Sequence, residues 1–152
     1  IGVIGTFLAF LLGLFGNFII DKYNNSPKIK VICRHGFVKY PEQPPLHVLN
    51  IEAINYGRVA VTMDGVGFDL KKQRDKEKQI VTILESDVIP FKFPVELLPG
   101  KSFTIIKNYK DLRESIKSKY PTKAFFRDQT GKVYYSKNVK KLFDLKPSDG
   151  EN

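Results

Sequence analysis

The first twenty residues, IGVIGTFLAFLLGLFGNFII, carry no charged side chain. As a helix they would extend roughly 30 Å, about the thickness of the hydrocarbon core of a bilayer. A helix of a soluble domain normally has a polar face, and a signal peptide normally has a shorter apolar region that ends in small residues. Residues 1–20 therefore predict a transmembrane helix, and they place the chain in the cell membrane as a single-pass protein.

Within this segment, small residues recur at every fourth position. Gly5, Ala9 and Gly13 would lie along one face of a helix, and small side chains at this spacing allow two membrane helices to approach closely. A homodimer through this face is one interpretation. The other is that glycine is simply frequent in membrane helices, so the oligomeric state stays open.

Residues 21–27 are polar and short, which predicts a tether between the helix and the rest of the chain. Basic residues beside a membrane helix tend to stay in the cytoplasm. The region after the apolar segment contains one acidic residue, Asp21, and four basic residues, Lys22, Lys28, Lys30 and Arg34. We therefore expect a cytoplasmic C-terminal domain. Basic residues before Ile1 would reverse this orientation and make the domain an extracellular adhesion-type module.

Positive charge is concentrated in one part of the chain. The net charge is +9, and the region from Lys101 to Lys141 contains 12 Lys or Arg and 3 Asp or Glu, a difference of +9. This placement predicts a basic surface. The chain also has a single cysteine, Cys33, which excludes an intramolecular disulfide.

Residues 28–137 alternate mostly between apolar and polar side chains, which predicts a series of short strands. The stretch from Lys28 to Arg34 is the first. Leu46–Asn55 and the stretch from Val59 to Met63 flank a turn in which Gly57 is available for a left-handed conformation, and so they predict a hairpin. Residues 80–84 form a further strand in this pattern.

The second half of the domain has clear turn and cap signals. Pro99 and Gly100 predict a type II turn, and Asn108 predicts the start of a helix that ends before Pro121. Residues 124–127 and 133–136 predict a hairpin around Gly131. The expected fold class is all-β: an antiparallel immunoglobulin-like β-sandwich with one short helix, preceded by the transmembrane helix. Residues 138–152 are expected to be a basic segment and a disordered tail.

The stretches PKIKV, NYGRVAVTMDGVGF, LLPGKSF and AFFRDQTGKVYYS follow the apolar segment and the tether in that order. In this arrangement the chain resembles a loose group of small bacterial and prophage proteins. Members of that group pair one N-terminal membrane helix with an immunoglobulin-like β-sandwich and have no assigned activity. The resemblance implies a fold and a bacterial origin, and it implies no catalytic residues.

Three residues could carry metal or nucleophile chemistry. Cys33 and His35 would face the same side of a strand, and His47 follows twelve residues later. These side chains are soft enough to bind zinc, or to form a Cys–His nucleophile pair in an effector enzyme. However, Cys33 shares its face with Ile29 and Val31, which predicts burial, and there is no second cysteine. We therefore predict no catalytic residue, no metal and no cofactor.

Two other motifs are interpreted as structural. Asp128-Gln129-Thr130-Gly131-Lys132 has the Asp-x-Thr-Gly order of a phosphorylated aspartate, but it lies between two short aromatic strands and predicts a turn. Gly65 and Gly67 lack the third glycine of a dinucleotide site and predict a bulge or a flexible strand.

The sequence favours a non-enzymatic binding or scaffolding module with a basic face. The residues expected on this face are Lys110, Arg113, Lys117, Lys137, Lys140 and Lys141. Anionic lipid of the inner leaflet or an acidic partner protein would bind there. Nucleic acid is a less favoured partner, because the interleaved aromatics are strand residues that need not form a stacking platform.

Overall fold

The structure is a computed structural model that describes residues 2–71, 78–83, 86–116 and 120–144, with side chains at 10, 12–70, 80–83, 86–116 and 121–144. The elements in chain order are α1 (Gly2–Asn24), β1 (Ile29–Val38), β2 (Leu46–Asn55), β3 (Val61–Lys71), β4 (Lys78–Thr82), β5 (Val95–Leu97), β6 (Ser102–Asn108), α2 (Tyr109–Ile116), β7 (Tyr120–Asp128), β8 (Val133–Asn138) and α3 (Lys140–Phe143).

The strands form two antiparallel sheets, as the alternation predicts. One sheet has the order β1-β2-β6. The other has the order β4-β3-β7-β8, and β5 also pairs with β3. The immunoglobulin-like label for this arrangement stays a prediction.

The core lies between the two sheets and is built from the alternate residues of each strand. In β2, for example, Leu49, Ile51 and Ala53 are fully buried, and Phe68 of β3 and Phe126 of β7 are fully buried as well. Burial of one such large side chain contributes about 1.5–3 kcal/mol. The period of two in the sequence therefore reports which residues face the core.

The predicted hairpin between β2 and β3 is wrong. β2 pairs with β1 and β6, while β3 pairs with β4, β5 and β7 in the other sheet. The chain crosses between the sheets after Asn55, and Gly57 does not have a positive φ. Gly57 is needed for a different reason: a Cβ there would lie 2.9 Å from the backbone nitrogen of Lys28.

The local turn and cap predictions are confirmed. The Lys101 N–H donates to the Leu98 carbonyl at 3.1 Å around Gly100, whose φ is +73°. Gly131, with φ +84°, lies in the loop between the paired strands β7 and β8. The Asn108 side-chain oxygen accepts a hydrogen bond from the Lys110 N–H at 2.9 Å and so caps α2.

The fold class needs one correction, because α1 does not meet the requirement for a transmembrane helix. In the part of the chain that the structure describes, no helix combines the length and the apolar character that crossing a bilayer needs. The last turn of α1 contains the charged residues Asp21 and Lys22. The membrane and single-pass assignments made for residues 1–20 are therefore wrong.

The helices also differ from the predicted set at both ends of the chain. Helix α1 continues to Asn24, so residues 21–24 of the predicted tether are helical. Beyond residue 137 the chain forms α3, and Val139 and Phe143 are buried in the core. Apolar side chains at these two positions explain why the folded part extends past the predicted boundary.

Candidate binding surface

A line of aromatic rings runs from the surface to the core at the end of the domain where β1 finishes and β2 begins. The Phe37 ring stacks on His47 with centroids 5.0 Å apart, and His47 lies 4.5 Å from Tyr109. Tyr109 lies 5.9 Å from Phe143, which contacts Phe68 at 5.7 Å. We call these five residues and His35 the aromatic end. It connects both sheets with α2 and α3.

Backbone pairing and a helix cap position these rings. Phe37 of β1 is directly opposite His47 of β2 in the antiparallel register, so their side chains emerge on the same side. Tyr109 is the first residue of α2, where Asn108 caps the helix. Its hydroxyl donates to the Leu142 carbonyl at 3.2 Å, and this bond holds α2 against α3.

His35 and His47 form a hydrogen-bonded pair inside the aromatic end. His35 Nδ1 and His47 Nε2 are 2.9 Å apart. The other nitrogen of His35, Nε2, is buried and has no hydrogen-bond partner among the described residues. Burial lowers the pKa of His47, and the neighbouring His35 lowers it further. The folded structure therefore favours the neutral form of the His47 imidazole.

The zinc or nucleophile interpretation of Cys33 finds no supporting geometry. Within the described ranges, no three side chains of His, Cys, Asp or Glu lie close enough together to hold a metal ion, so Cys33 does not join the two histidines in such a group. Burial raises the pKa of the Cys33 thiol to about 12. A thiol in this state is a poor ligand and a poor nucleophile.

The Asp128 motif is a structural turn, as predicted. The Asp128 carboxylate is buried and accepts hydrogen bonds from the Thr130 N–H and hydroxyl at 2.9 and 2.6 Å. It also accepts from the Lys132 N–H at 3.0 Å and from the Tyr134 hydroxyl at 2.9 Å. All these donors belong to the β7–β8 hairpin, so the carboxylate acts as its brace.

The two glycines of β3 have packing roles. The pairing of β3 with β7 shifts register between Met63 and Gly65, so the strand is irregular where a bulge or a flexible strand was predicted. A Cβ at Gly67 would collide with the Val81 carbonyl oxygen of β4. Gly67 is therefore required for the close approach of two strands rather than for a cofactor.

Five of the six residues predicted on the basic face are exposed on α2, α3 and the end of β8: Lys110, Arg113, Lys137, Lys140 and Lys141. Lys117 lies outside the described residues. The Tyr109 contacts with Leu142 and Phe143 bring the two helices together. None of the five forms an ion pair with another described residue, whereas Arg34, Lys107 and Arg127 do. Exposed acids on the same helices are Asp111, Glu114 and Asp144.

Most of the predicted helix–helix face lies in the part of α1 whose side chains the structure does not describe. The side chains of Gly5 and Ala9 are not among those described, and a Cβ at Gly13 would meet nothing within 4 Å. The large apolar side chains of α1 that are described, from Phe10 to Ile20, are all more than half exposed. The structure therefore shows no contact that would involve Gly13.

Sequence analysis did not identify Phe37 as a surface residue, nor Tyr109 as the residue that connects the other rings of the aromatic end. Phe37 continues the inward alternation of Val31 and His35, so the pattern alone predicts that it is buried. In the structure its side chain is 72% exposed. The loop that follows turns around Glu42, with φ +63°, and lines a shallow concavity of about 580 Å³.

Comparisons with known proteins add little to this description. No protein-family model matches the sequence, and no curated protein matches it. Among solved structures, the protein called ApaA from Bordetella pertussis is 13% identical, with a TM-score of 0.35 over 75% of this chain and 90% of its own. Structural-genomics target SoR45 is 13% identical, with a TM-score of 0.32 over 85% and 98%. Likeness of this degree supports no conclusion about fold or function.

Proposed function

We propose that this protein is a non-enzymatic binding module whose basic face holds an acidic segment of a partner protein. One observation carries the proposal: α2 and α3, which Tyr109 joins, both carry exposed lysine or arginine side chains, and none of these has an ion-pair partner among the described residues. Charges that are unpaired within a domain are available to a ligand of opposite sign.

The expected binding is fast, salt-dependent and of moderate affinity. A single exposed ion pair contributes about 0.2–1 kcal/mol, so several pairs are needed for a useful affinity. At physiological ionic strength charges act over about 8 Å. The partner must therefore place several carboxylates directly against α2 and α3, as an extended acidic segment can.

A charge-reversal experiment tests this proposal. The variant K110E/K140E/K141E reverses three charges of the basic face. The matched control, K30E/R58E/K101E, reverses three exposed charges near the opposite end of the sheets. Fluorescence anisotropy of a labelled acidic peptide of about fifteen residues is measured with the full chain at several salt concentrations, and urea unfolding checks that both variants fold.

We expect the basic-face variant to bind the peptide at least tenfold more weakly, with a much smaller dependence on salt, and the control to bind nearly as the native chain does. Equal losses in the two variants would show that only the net charge matters and would contradict the proposal. Tighter binding of a single-stranded oligonucleotide with the same number of charges would contradict the choice of an acidic protein segment.

A further inference from the structure

Phe37 is exposed but held in place. Its side chain is 72% exposed, the highest value among the large apolar side chains of the described strands and loops. Its ring is nearly parallel to the His47 imidazole, with an interplanar angle of 17° and centroids 5.0 Å apart. His47 is supported from below by Tyr109 at 4.5 Å and by the hydrogen bond to His35. One face of Phe37 is thus packed and the other faces solvent.

A rigid aromatic ring with one open face is suited to binding. Ordering a mobile side chain on association costs conformational entropy, and a ring that is already fixed avoids most of that cost. Aromatic residues are also enriched among the few residues that dominate the energy of protein interfaces. An aromatic ring or an apolar side chain of a partner could pack on the open face of Phe37. A ring in this position would extend the line of rings that starts at Phe68.

The charges around Phe37 match the proposed acidic ligand. Lys39 follows two residues later in the chain and is exposed. Lys110 is adjacent to Tyr109, whose ring packs against His47 under Phe37. The described acid in the adjoining loop is Glu42, which lies in the turn closed by the Gln43 N–H and the Tyr40 carbonyl. A ligand side chain on Phe37 would therefore lie in a region that carries two exposed lysines, Lys39 and Lys110.

We infer that Phe37 is the anchor of the binding surface and that the partner segment carries an aromatic residue flanked by carboxylates. The aromatic ring of the partner would stack on Phe37 while its acids contact Lys39 and Lys110. This inference rests on the proposed function, because it assigns a residue-level specificity to the same acidic ligand.

The test uses two synthetic acidic peptides of the same length and charge, one with Trp and one with Ala at the central position. Because the chain contains no tryptophan, the fluorescence of the peptide Trp reports its environment directly. The variant Phe37→Ser removes the ring, and Phe37→Leu retains an apolar side chain. Tyr56→Ser is the control, since Tyr56 is 64% exposed and follows β2 at the other end from His47.

For the native chain and for Tyr56→Ser we expect the Trp peptide to bind about tenfold more tightly than the Ala peptide, with a blue shift of the Trp emission. Phe37→Ser should remove this preference without changing the affinity or the salt dependence of the Ala peptide. Phe37→Leu should keep part of it.

The outcomes separate the two proposals. Salt-dependent binding of both peptides with equal affinity would support the basic face and overturn the role of Phe37. A Trp preference that persists in Phe37→Ser would overturn that role as well. Failure of both peptides to bind would overturn the proposed function and the inference together.

Discussion

His35 and His47 share a single hydrogen bond, with 2.9 Å between Nδ1 of one and Nε2 of the other. Only one of these two nitrogens can carry the shared proton, so protonation of both rings would break the bond and place two cations side by side. The pair thus couples the protonation state of the domain to the packing of the aromatic end.

We expect this pair to reduce the free energy of unfolding in mild acid. The pKa of His47 is lowered in the folded state, first by burial and then by His35. Its contribution to stability is therefore complete above the unfolded pKa of about 6.5 and is lost as the pH falls through the lower folded pKa. Urea unfolding at about pH 7.5 and pH 5 should give a lower midpoint in acid for the native chain.

In the variant His47→Gln this acid-induced fall should be smaller, because the group that titrates is gone. Carboxylates with ordinary pKa values stay mostly charged between pH 7.5 and pH 5, so they contribute little to the difference in the free energy of unfolding. An equal fall in the native chain and in His47→Gln would show that the histidine pair does not link stability to pH.

Asn55 joins the two sheets at the opposite end of the domain. Its side-chain N–H groups donate to the carbonyls of Val59 and Leu97 at 2.8 and 2.9 Å, and its oxygen accepts from the Gly57 N–H at 3.0 Å. Asn55→Ala should lower the free energy of unfolding by about 2–4 kcal/mol, since it leaves buried backbone groups without partners. Asn25→Ala, at an exposed site, should change it by less than about 0.5 kcal/mol. Equal effects in urea unfolding would contradict this role.

Because the Asp128 carboxylate accepts the hydrogen bonds of its hairpin in the ionised form, we expect the stability cost of removing one of them to depend on pH. Burial alone raises the pKa of Asp128, but the hydrogen bonds from Thr130, Tyr134 and Lys132 outweigh it and hold the pKa below its usual range. The stability from the ionised carboxylate is thus present above the unfolded pKa of about 3.9 and lost as the pH falls through the folded value. Tyr134→Phe should cost about 2 kcal/mol at neutral pH.

In a more acidic buffer, below the folded pKa of Asp128, the cost of Tyr134→Phe should be clearly smaller, because a protonated carboxyl accepts a weaker bond than a carboxylate. Thermal unfolding at both pH values measures the difference. Tyr40→Phe, in the exposed loop, is the matched control and should have little effect at either pH. A cost for Tyr134→Phe that is the same at both pH values would contradict the ionised brace.

Cys33 should be unreactive in the folded protein. Burial raises its pKa to about 12, so only about one thiol in ten thousand is ionised at pH 8. Ellman's reagent should react slowly with the native chain and rapidly in denaturing urea. In the variant C33S/K101C, whose cysteine replaces an exposed lysine, labelling should be rapid without urea. Rapid labelling of native Cys33 would contradict the raised pKa of its half-buried thiol.

Glu42 occupies a backbone conformation that favours glycine. Its φ is +63°, in the turn where the Gln43 N–H approaches the Tyr40 carbonyl at 3.4 Å. A side chain in this region costs about 1 kcal/mol, so Glu42→Gly should raise the thermal midpoint by several degrees. Gln43→Gly, at a neighbouring position with negative φ, should not raise it. A lower midpoint for Glu42→Gly would show that the Glu42 side chain makes a stabilising contact.

The elements that sequence analysis predicts correctly depend on residues close together in the chain. The Asn108 cap, the turn at Gly100 and the β7–β8 hairpin around Gly131 each involve a few consecutive residues. Their geometry follows from local hydrogen bonding and from the backbone freedom of glycine. Cys33 is half-buried and packs against the core, on the face that the alternation of its strand indicates.

The incorrect predictions depend on residues far apart in the chain. Alternation shows that β2 and β3 are strands, but it does not show that they belong to different sheets, which the side chain of the buried Asn55 joins. It also does not show that Phe37, at a position that continues the inward alternation, is exposed. The apolar composition of residues 1–20 predicts a helix, which is observed, and a bilayer crossing, which is not supported.

The sequence by itself determined the strands, the turns, the cap of α2 and the positive charge of the second half, because each depends on the order of nearby residues. Only the tertiary structure decided which strands pair, and only it joined Phe37, His47 and Tyr109 into one surface beside the basic face. The physical reason is that such contacts depend on how two sheets and two helices pack together, and the register of that packing is set by the core as a whole.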